Sequence, residues 1–586
     1  MSEASGSAGP VVLSGVKKVE LYKKVWSRND QIFIFVGLFL LSWAITWETT
    51  ITSTVTPKVT SILGANNLSS ILSTILYILQ TALLPMISKL SDFTGRAEAY
   101  SFAMTFYIVS FIIMASANNY PTLVGAKVIY AFGYSGTTIL GPILIGDMTS
   151  IVNRGIYQGL YNAPVLINLF VASSVGSNFV ESGRWRWSFG INCILLGVTS
   201  APLLAGLWNV QFKVKRSGLL VKAEEEERNS GPRMTLWERI VWLAIEIDIV
   251  GSLLLIGGLC LVLLPLVLAL PKWGGWSSGL TLGTLISGVV CWGLFALWEL
   301  KFSPKPIIPL ARWESRTPLY GVLVTSSITL ISSTNWQFLA TYLQISRRVD
   351  SKTAIYLECG YNVMYIITEV SVGFLMARFK VWRPFIWTGI AIAIVGLGIM
   401  IPARLPTSSD AFVVVSQSIV GLGTGMCFIP VLVAVQSSVP HNDLAIVTAL
   451  FQVGGSIAAS VGSTMAGAIW NALLPTKIAE YVPGEYDHAQ IISSITYVQS
   501  LPIEQYDGAV KAYGEVQKLL NIIAVSLSVL TFVFAVPMQS FGLDQTEETR
   551  IASGAKNTNG NPNEVPSILS EDDISKSDIK PTVSPA

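Results

Sequence analysis

Ser88-Lys-Leu-Ser-Asp-Phe-Thr-Gly-Arg-Ala-Glu-Ala-Tyr100 is a short charged stretch between two long apolar runs. Asp92, Gly95 and Arg96 fall at the spacing D-x-x-G-R. Two apolar helices joined by so short a link must fold back as an antiparallel hairpin. Gly95 can take the positive φ that the turn needs. Asp92 and Arg96 then sit at a membrane surface, where they can pair with each other or with helix ends.

Working outward, the rest of the chain repeats that theme. Of 586 residues, 51% are hydrophobic and 13% charged, and the mean hydropathy is +0.57. Soluble proteins carry about 25% charged residues, and one membrane-spanning helix needs about 20 apolar ones. Apolar runs fall at 31–52, 68–88, 97–117, 121–146, 157–180, 187–209, 246–270, 277–299, 319–343, 355–377, 383–401, 411–437, 443–474 and 515–538. That reads as about fourteen spans of an all-α, polytopic membrane protein. An even number puts both termini on one side. Lys and Arg are roughly twofold enriched in the segments on the side of the termini, which makes that side cytoplasmic. Residues 1–30 are polar and contain Lys17, Lys18, Lys23, Lys24 and Arg28. They resemble no cleavable signal, so the first apolar helix must direct insertion.

Net charge is +2 and the basic residues are dispersed, so nothing points to nucleic acid. Cys193, Cys260, Cys291, Cys359 and Cys427 lie in or near apolar runs and form no C-x-x-C pair; they read as small buried side chains. His441 and His488 are the only histidines, so neither a metal site nor a resident cofactor is expected. No G-x-x-x-x-G-K-[ST] phosphate loop occurs, which removes ATP as the direct drive. No nucleophile–base constellation suggests an enzyme.

An internal repeat divides the chain. Gly133-Tyr-Ser-Gly136 with Pro142 recurs as Gly421-Leu-Gly-Thr-Gly425 with Pro430. Gly373-Phe-Leu-Met-Ala-Arg378, followed by Arg383, echoes the 88–100 loop in the second half. Such repeats are typical of secondary transporters.

These residues resemble the major facilitator superfamily, and within it the fourteen-helix fungal siderophore–iron transporters. The resemblance rests on the 88–100 loop and on Gly146-Asp-Met-Thr-Ser150 with Asn153-Arg-Gly155. It rests too on Trp185-Arg-Trp187, on Gln436, His441, Ala445 and Thr448, on Gly467-Ala-Ile-Trp470, and on Ala512-Tyr-Gly514. Ser88 departs from the superfamily's usual Gly, and Glu48 stands where relatives tend to have Asp. The resemblance implies six helices over 31–209 and six over 300–543, with an extra pair over 246–299. Around them lie a cytoplasmic segment 1–30, a linker 210–245, an exterior loop 475–514 and a disordered tail 544–586. It also implies proton-coupled uptake of a ferric siderophore by a monomer in the plasma membrane or in endosomal vesicles. A proton-coupled drug exporter, a haem or glutathione carrier and a non-transporting nutrient sensor are the rival readings.

Ionisable residues inside a membrane cost about 2.5–3.5 kcal/mol each on insertion scales, so each needs a reason. The candidates are Glu48, Lys127, Glu246, Asp248, Glu299, Glu358 and Glu369. Glu48, Glu369 and Lys127 are the proton-coupling candidates, with a fixed Glu48–Lys127 ion pair as the structural alternative. Asp92, Gly95, Arg96, Asp147, Arg154, Arg378 and Arg383 read as gating or structural groups. Substrate contacts are expected from Trp47, Tyr77, Tyr130, Tyr134, Trp336, Gln337, Tyr342, Tyr361, Asn362 and Tyr365. Tyr481, Tyr486 and Tyr506 are candidates for capture in the exterior loop. Asn67 begins a lone glycosylation sequon.

Overall fold

In the computed structural model the described residues are 25–62, 69–218, 241–242, 244–245, 247–269, 273–304, 315–349, 351–440, 443–493 and 495–545. Glu246, His441, Asn67, most of the 210–245 linker and nearly all of the expected tail lie outside them.

The first half holds α1 (Arg28–Ile62), α2 (Ser69–Thr94), α3 (Arg96–Ser116), α4 (Tyr120–Met148), α5 (Ile151–Asn162), α6 (Val165–Glu181) and α7 (Trp185–Arg216). An intermediate pair follows, α8 (Ile249–Leu268) and α9 (Gly279–Leu297), the latter running into a π-helical turn at Trp298–Phe302. The second half holds α10 (Thr317–Trp336), α11 (Leu339–Arg347), α12 (Ser351–Phe379), α13 (Arg383–Ala403), α14 (Asp410–Ser437) and α15 (Leu444–Tyr481). It ends with the short α16 (His488–Ser493) and α17 (Ile495–Ser500), then α18 (Ile503–Ala535). Among the described residues, twelve helices are long and apolar enough to cross a membrane, with α5 and α6 counted as one. The protein is therefore a multi-pass membrane protein. Helix α2 and the α10–α11 pair pack among those twelve, at two of the fourteen places read as spans from the sequence.

Local chemistry explains the element ends. Gly95 alone separates α2 from α3, at φ 116, a conformation nearly closed to residues with a Cβ. Asn119 caps α4 by accepting from Thr122 N at 2.9 Å, with Pro121 in the first turn. Ser409 caps α14 in the same way. Pro85, Pro142, Pro202, Pro265, Pro430 and Pro475 lie inside helices, as neighbouring helices in a membrane bundle allow.

The repeat glycines do the same work in both halves. A Cβ on Gly133 would meet the backbone of Tyr107 at 2.5 Å, so α4 lies directly on α3. Gly421 lies against the carbonyl of Tyr361 in the same way, seating α14 on α12. One apolar cluster fills the first half and continues into Leu444, Ala445, Ala449 and Val453 of α15. Others fill the second half. Helices α8 and α9 share a small cluster with Ile78 of α2, which fixes the pair to the flank of the first half.

The 475–514 stretch, expected as a loop, is mostly helix. Helix α15 runs on to Tyr481 and α18 begins at Ile503, leaving only short connections around α16 and α17. Apolar periodicity fades in these polar, tyrosine-rich turns, although the helices continue above the apolar zone.

Candidate functional site

Glu48, the third residue after Ile45 on α1, is 0% exposed. Thr52, one turn on, donates to Oε1 at 2.7 Å. Tyr107 of α3 and Tyr130 of α4 donate to Oε2 at 2.6 and 3.1 Å. Lys127 lies one turn before Tyr130, with Nζ 3.9 Å from that ring's centroid. The fixed Glu48–Lys127 ion pair is not what forms: among the described residues none joins them within 4.0 Å, and hydroxyls take the carboxyl oxygens instead. Tyr134 stacks on Tyr130 at 5.5 Å, Tyr77 is half-buried, and Trp47 lies 5.8 Å from Trp43. Three neutral donors and a nearby but unpaired ammonium let this carboxyl keep partners in either protonation state. Thr52 was readable as the i+4 neighbour of Glu48. Tyr107, 59 residues away on another helix, gave no sequence signal.

In the second half, Trp336 and Tyr361 rings lie 4.5 Å apart, and Tyr361 stacks on Tyr365 at 5.8 Å. Trp336 Nε1 donates to Gln417 Oε1 at 3.3 Å, and Thr424 Oγ1 donates to the Tyr361 hydroxyl at 3.3 Å. Asn362 is half-buried and Gln337 exposed, at the break between α10 and α11. Tyr342 is different: it is 1% exposed and its hydroxyl donates to the Arg404 carbonyl, so it packs within the half. Glu369 is 0% exposed and accepts from Asn162 Nδ2 of the first half at 2.9 Å.

At the end of the bundle that carries the 88–100 loop, Arg96 Nη1 bonds Asp92 Oδ1 and Arg96 Nε bonds Asp147 Oδ2, each at 2.9 Å. Ser91 Oγ accepts from the same Nη1 at 2.5 Å. Arg154 Nη2 donates to the Gly146 carbonyl at 3.0 Å, tying α5 to the end of α4. The halves touch here, where Ser88 Oγ donates to the Ala445 carbonyl at 2.9 Å. Ser88 thus uses the hydroxyl that distinguishes it from the superfamily's Gly.

Among the described residues the second-half echo carries no buried charge clasp, only the exposed Lys380–Asp544 pair at 3.3 Å. Arg378 is exposed, and Arg383 Nη2 donates to the Val536 carbonyl at 3.0 Å. The segment after α18 crosses the turn between α12 and α13. Trp382 Nε1 donates to the Phe541 carbonyl at 3.1 Å, and Leu543 N donates to the Lys380 carbonyl at 3.0 Å. A backbone strap stands where the first half has buried acidic partners.

The three tyrosines expected in an exterior loop divide. Tyr506 is 8% exposed and donates to the Ile345 carbonyl at 2.5 Å, so its hydroxyl is committed to packing. Tyr481 is half-buried, with Lys511 Nζ 4.3 Å from its ring, and Tyr486 lies against His488 at 4.6 Å.

Residues 35–463 match the family model described as the Major Facilitator Superfamily. The chain belongs to that superfamily and is a transporter rather than an enzyme. Among curated relatives, it is 27% identical to "Siderophore iron transporter mirC" of Emericella nidulans, over 96% of this chain and 93% of that one. It is 29% identical to "Siderophore iron transporter 1" of Schizosaccharomyces pombe, over 88% and 83%. "Low affinity heme transporter str3" of the same yeast is 24% identical, over 90% and 86%. Solved structures with the same fold include the human organic anion transporter MFSD10, with TM-score 0.53 and 9% identity over 85% of this chain and 99% of that one. The proton:xylose symporter XylE gives 0.51 and 12%, over 89% and 99%.

Proposed function

We propose that this chain takes up ferric siderophores at the plasma membrane by proton symport, working by alternating access as a monomer with cytoplasmic termini. The observation that carries the reading is full-length similarity to several fungal proteins named as siderophore iron transporters. The half-buried rings of Tyr134 and of the ladder Trp336–Tyr361–Tyr365 offer flat apolar faces with hydroxyls, whereas Tyr130 is 2% exposed and gives its hydroxyl to Glu48. Such surfaces suit a bulky chelate with amide-like groups around an enclosed metal. The iron travels as cargo already held by its chelator.

Glu48 is the proposed proton-coupling acid, with Lys127 setting its field. One proton moving down about 100 mV gains about 2.3 kcal/mol. Two pH units add about 2.7 kcal/mol, and the sum supports a gradient of a few thousandfold. Asp92, Asp147 and Arg154 with Arg96 form the proposed cytoplasmic clasp.

The test is growth of an iron-starved, uptake-deficient fungus on a panel of single siderophores, with wild-type protein and Glu48→Gln compared. Rescue by at least one siderophore is expected, with accumulation that rises as external pH falls in the wild type alone. No rescue combined with altered drug resistance would turn the reading into export. Rescue by haem alone would favour the haem-carrier reading, which the relationship to str3 supports.

A further inference from the structure

Helix α5 of the first half and α12 of the second meet nearly backbone to backbone. A Cβ on Gly373 would come 2.6 Å from the Gly155 carbonyl, and one on Gly159 would lie 3.0 Å from Val370 Cα. In this close-packed seam sits Glu369, 0% exposed. Its Oε1 accepts from Asn162 Nδ2 at 2.9 Å, while Oε2 is buried without a hydrogen-bond partner. From its own helix the neighbouring titratable groups are Tyr361 and Tyr365; from α14 it is Cys427, whose thiol donates to the Gly423 and Ile386 carbonyls. Among the described residues no Lys, Arg or His pairs with Glu369. Among the described residues one amide therefore supplies the hydrogen bond to this carboxyl, and it comes from the opposite half.

We propose that Asn162 is a gate-positioning residue, and that its bond to Glu369 latches the two halves together at the clasp end. The physical reason is an asymmetry between the two states. With the clasp end closed, Glu369 is cut off from water and depends on Asn162. With it open, α5 and α12 part and water solvates both groups. Removing the donor alone leaves a buried acceptor with no partner, a cost that falls on the closed state only. Removing both polar groups removes the cost as well. Asn162 thus sets how readily the closed end opens, whichever substrate is carried. The inference rests on alternating access but not on the substrate or on proton coupling.

The position of the Asn162 break supports this role. Helix α5 stops at Asn162 and α6 resumes at Val165, past Pro164. The hydroxyl of Ser42 on α1 holds the Tyr161 carbonyl beside that break. The backbone that carries Asn162 is therefore held by its own half.

The test uses full-length purified protein with native cysteines replaced and spin labels at Lys215→Cys and Val381→Cys. Both sites are exposed at the clasp end, one on each half. Pulsed-EPR distances are recorded without substrate and without a proton gradient. Asn162→Leu is expected to lower the closed-to-open ratio roughly 5- to 150-fold. Glu369→Gln, whose carbonyl still accepts from Asn162, is expected to stay closed. The double variant Asn162→Leu/Glu369→Leu is expected to return to within a few-fold of the wild type. A wild-type ratio in Asn162→Leu, or a double variant as open as the single one, overturns the latch. If Asn162→Leu does not fold, Asn162→Ala serves in its place, since it also removes the donor, and an unchanged ratio there also overturns the proposal.

Discussion

Replacing Arg96 with Ala tests the charge clasp most directly. The Arg96 side chain is 5% exposed, and its partners Asp92 and Asp147 are 14% and 4% exposed. One guanidinium thus serves two shielded carboxylates and the Ser91 hydroxyl. Alanine would leave both carboxylates facing each other without the cation between them. Breaking a buried pair by removing one partner costs about 3–5 kcal/mol. Lys380–Asp544 provides the contrast: it spans 3.3 Å, but its side chains are 52% and 51% exposed. A pair of that kind contributes about 0–1 kcal/mol. The assay is thermal loss of the monodisperse species in detergent, read by fluorescence-detected size exclusion, for the wild type, Arg96→Ala and Lys380→Ala. Arg96→Ala is expected to melt well below the other two. Arg96→Lys is expected to fall between, since an ammonium lacks the planar fork that reaches both acids. An Arg96→Ala protein that melts with Lys380→Ala would refute the reasoning.

Three other substitutions follow from the packing. Gly373→Val places a branched side chain against the Gly155 carbonyl; uptake is expected to fall at least tenfold, with the labelled clasp end open by pulsed EPR. Trp382→Ala removes a 1% exposed ring that lies 5.3 Å from Phe541 and loses its bond to the strap. About 3–5 kcal/mol of destabilisation is expected, again read by thermal size exclusion. Tyr506→Phe deletes the hydroxyl bonded to Ile345. It is expected to cost about 1 kcal/mol of stability while leaving substrate KM unchanged. A raised KM would restore that tyrosine to substrate capture.

The membrane class, the hairpin at Gly95 and the division into repeated halves could be read from the sequence because each depends on local patterns. Apolar runs mark helices, a lone Gly marks a tight link, and paired glycines mark close helix crossings. The Asp92–Arg96 pairing was equally legible, since the two residues flank the one-residue turn at Gly95. The echo at Arg378 and Arg383 misled for the same reason. Sequence shows that a similar residue recurs, but not that Val536 and Phe541, some 150 positions on, supply carbonyls in place of acids.

Sequence alone determined what must be buried: an apolar chain, a few costly charges within it, and Glu48 and Glu369 among them. Tertiary structure decided what each buried charge meets. Glu48 finds the hydroxyls of Tyr107, Tyr130 and Thr52 rather than Lys127, and Glu369 finds Asn162 across the seam between halves. The reason is geometric. Helix periodicity fixes the face on which a residue lies, whereas its partner depends on how separate helices cross, and here glycine contacts set those crossings.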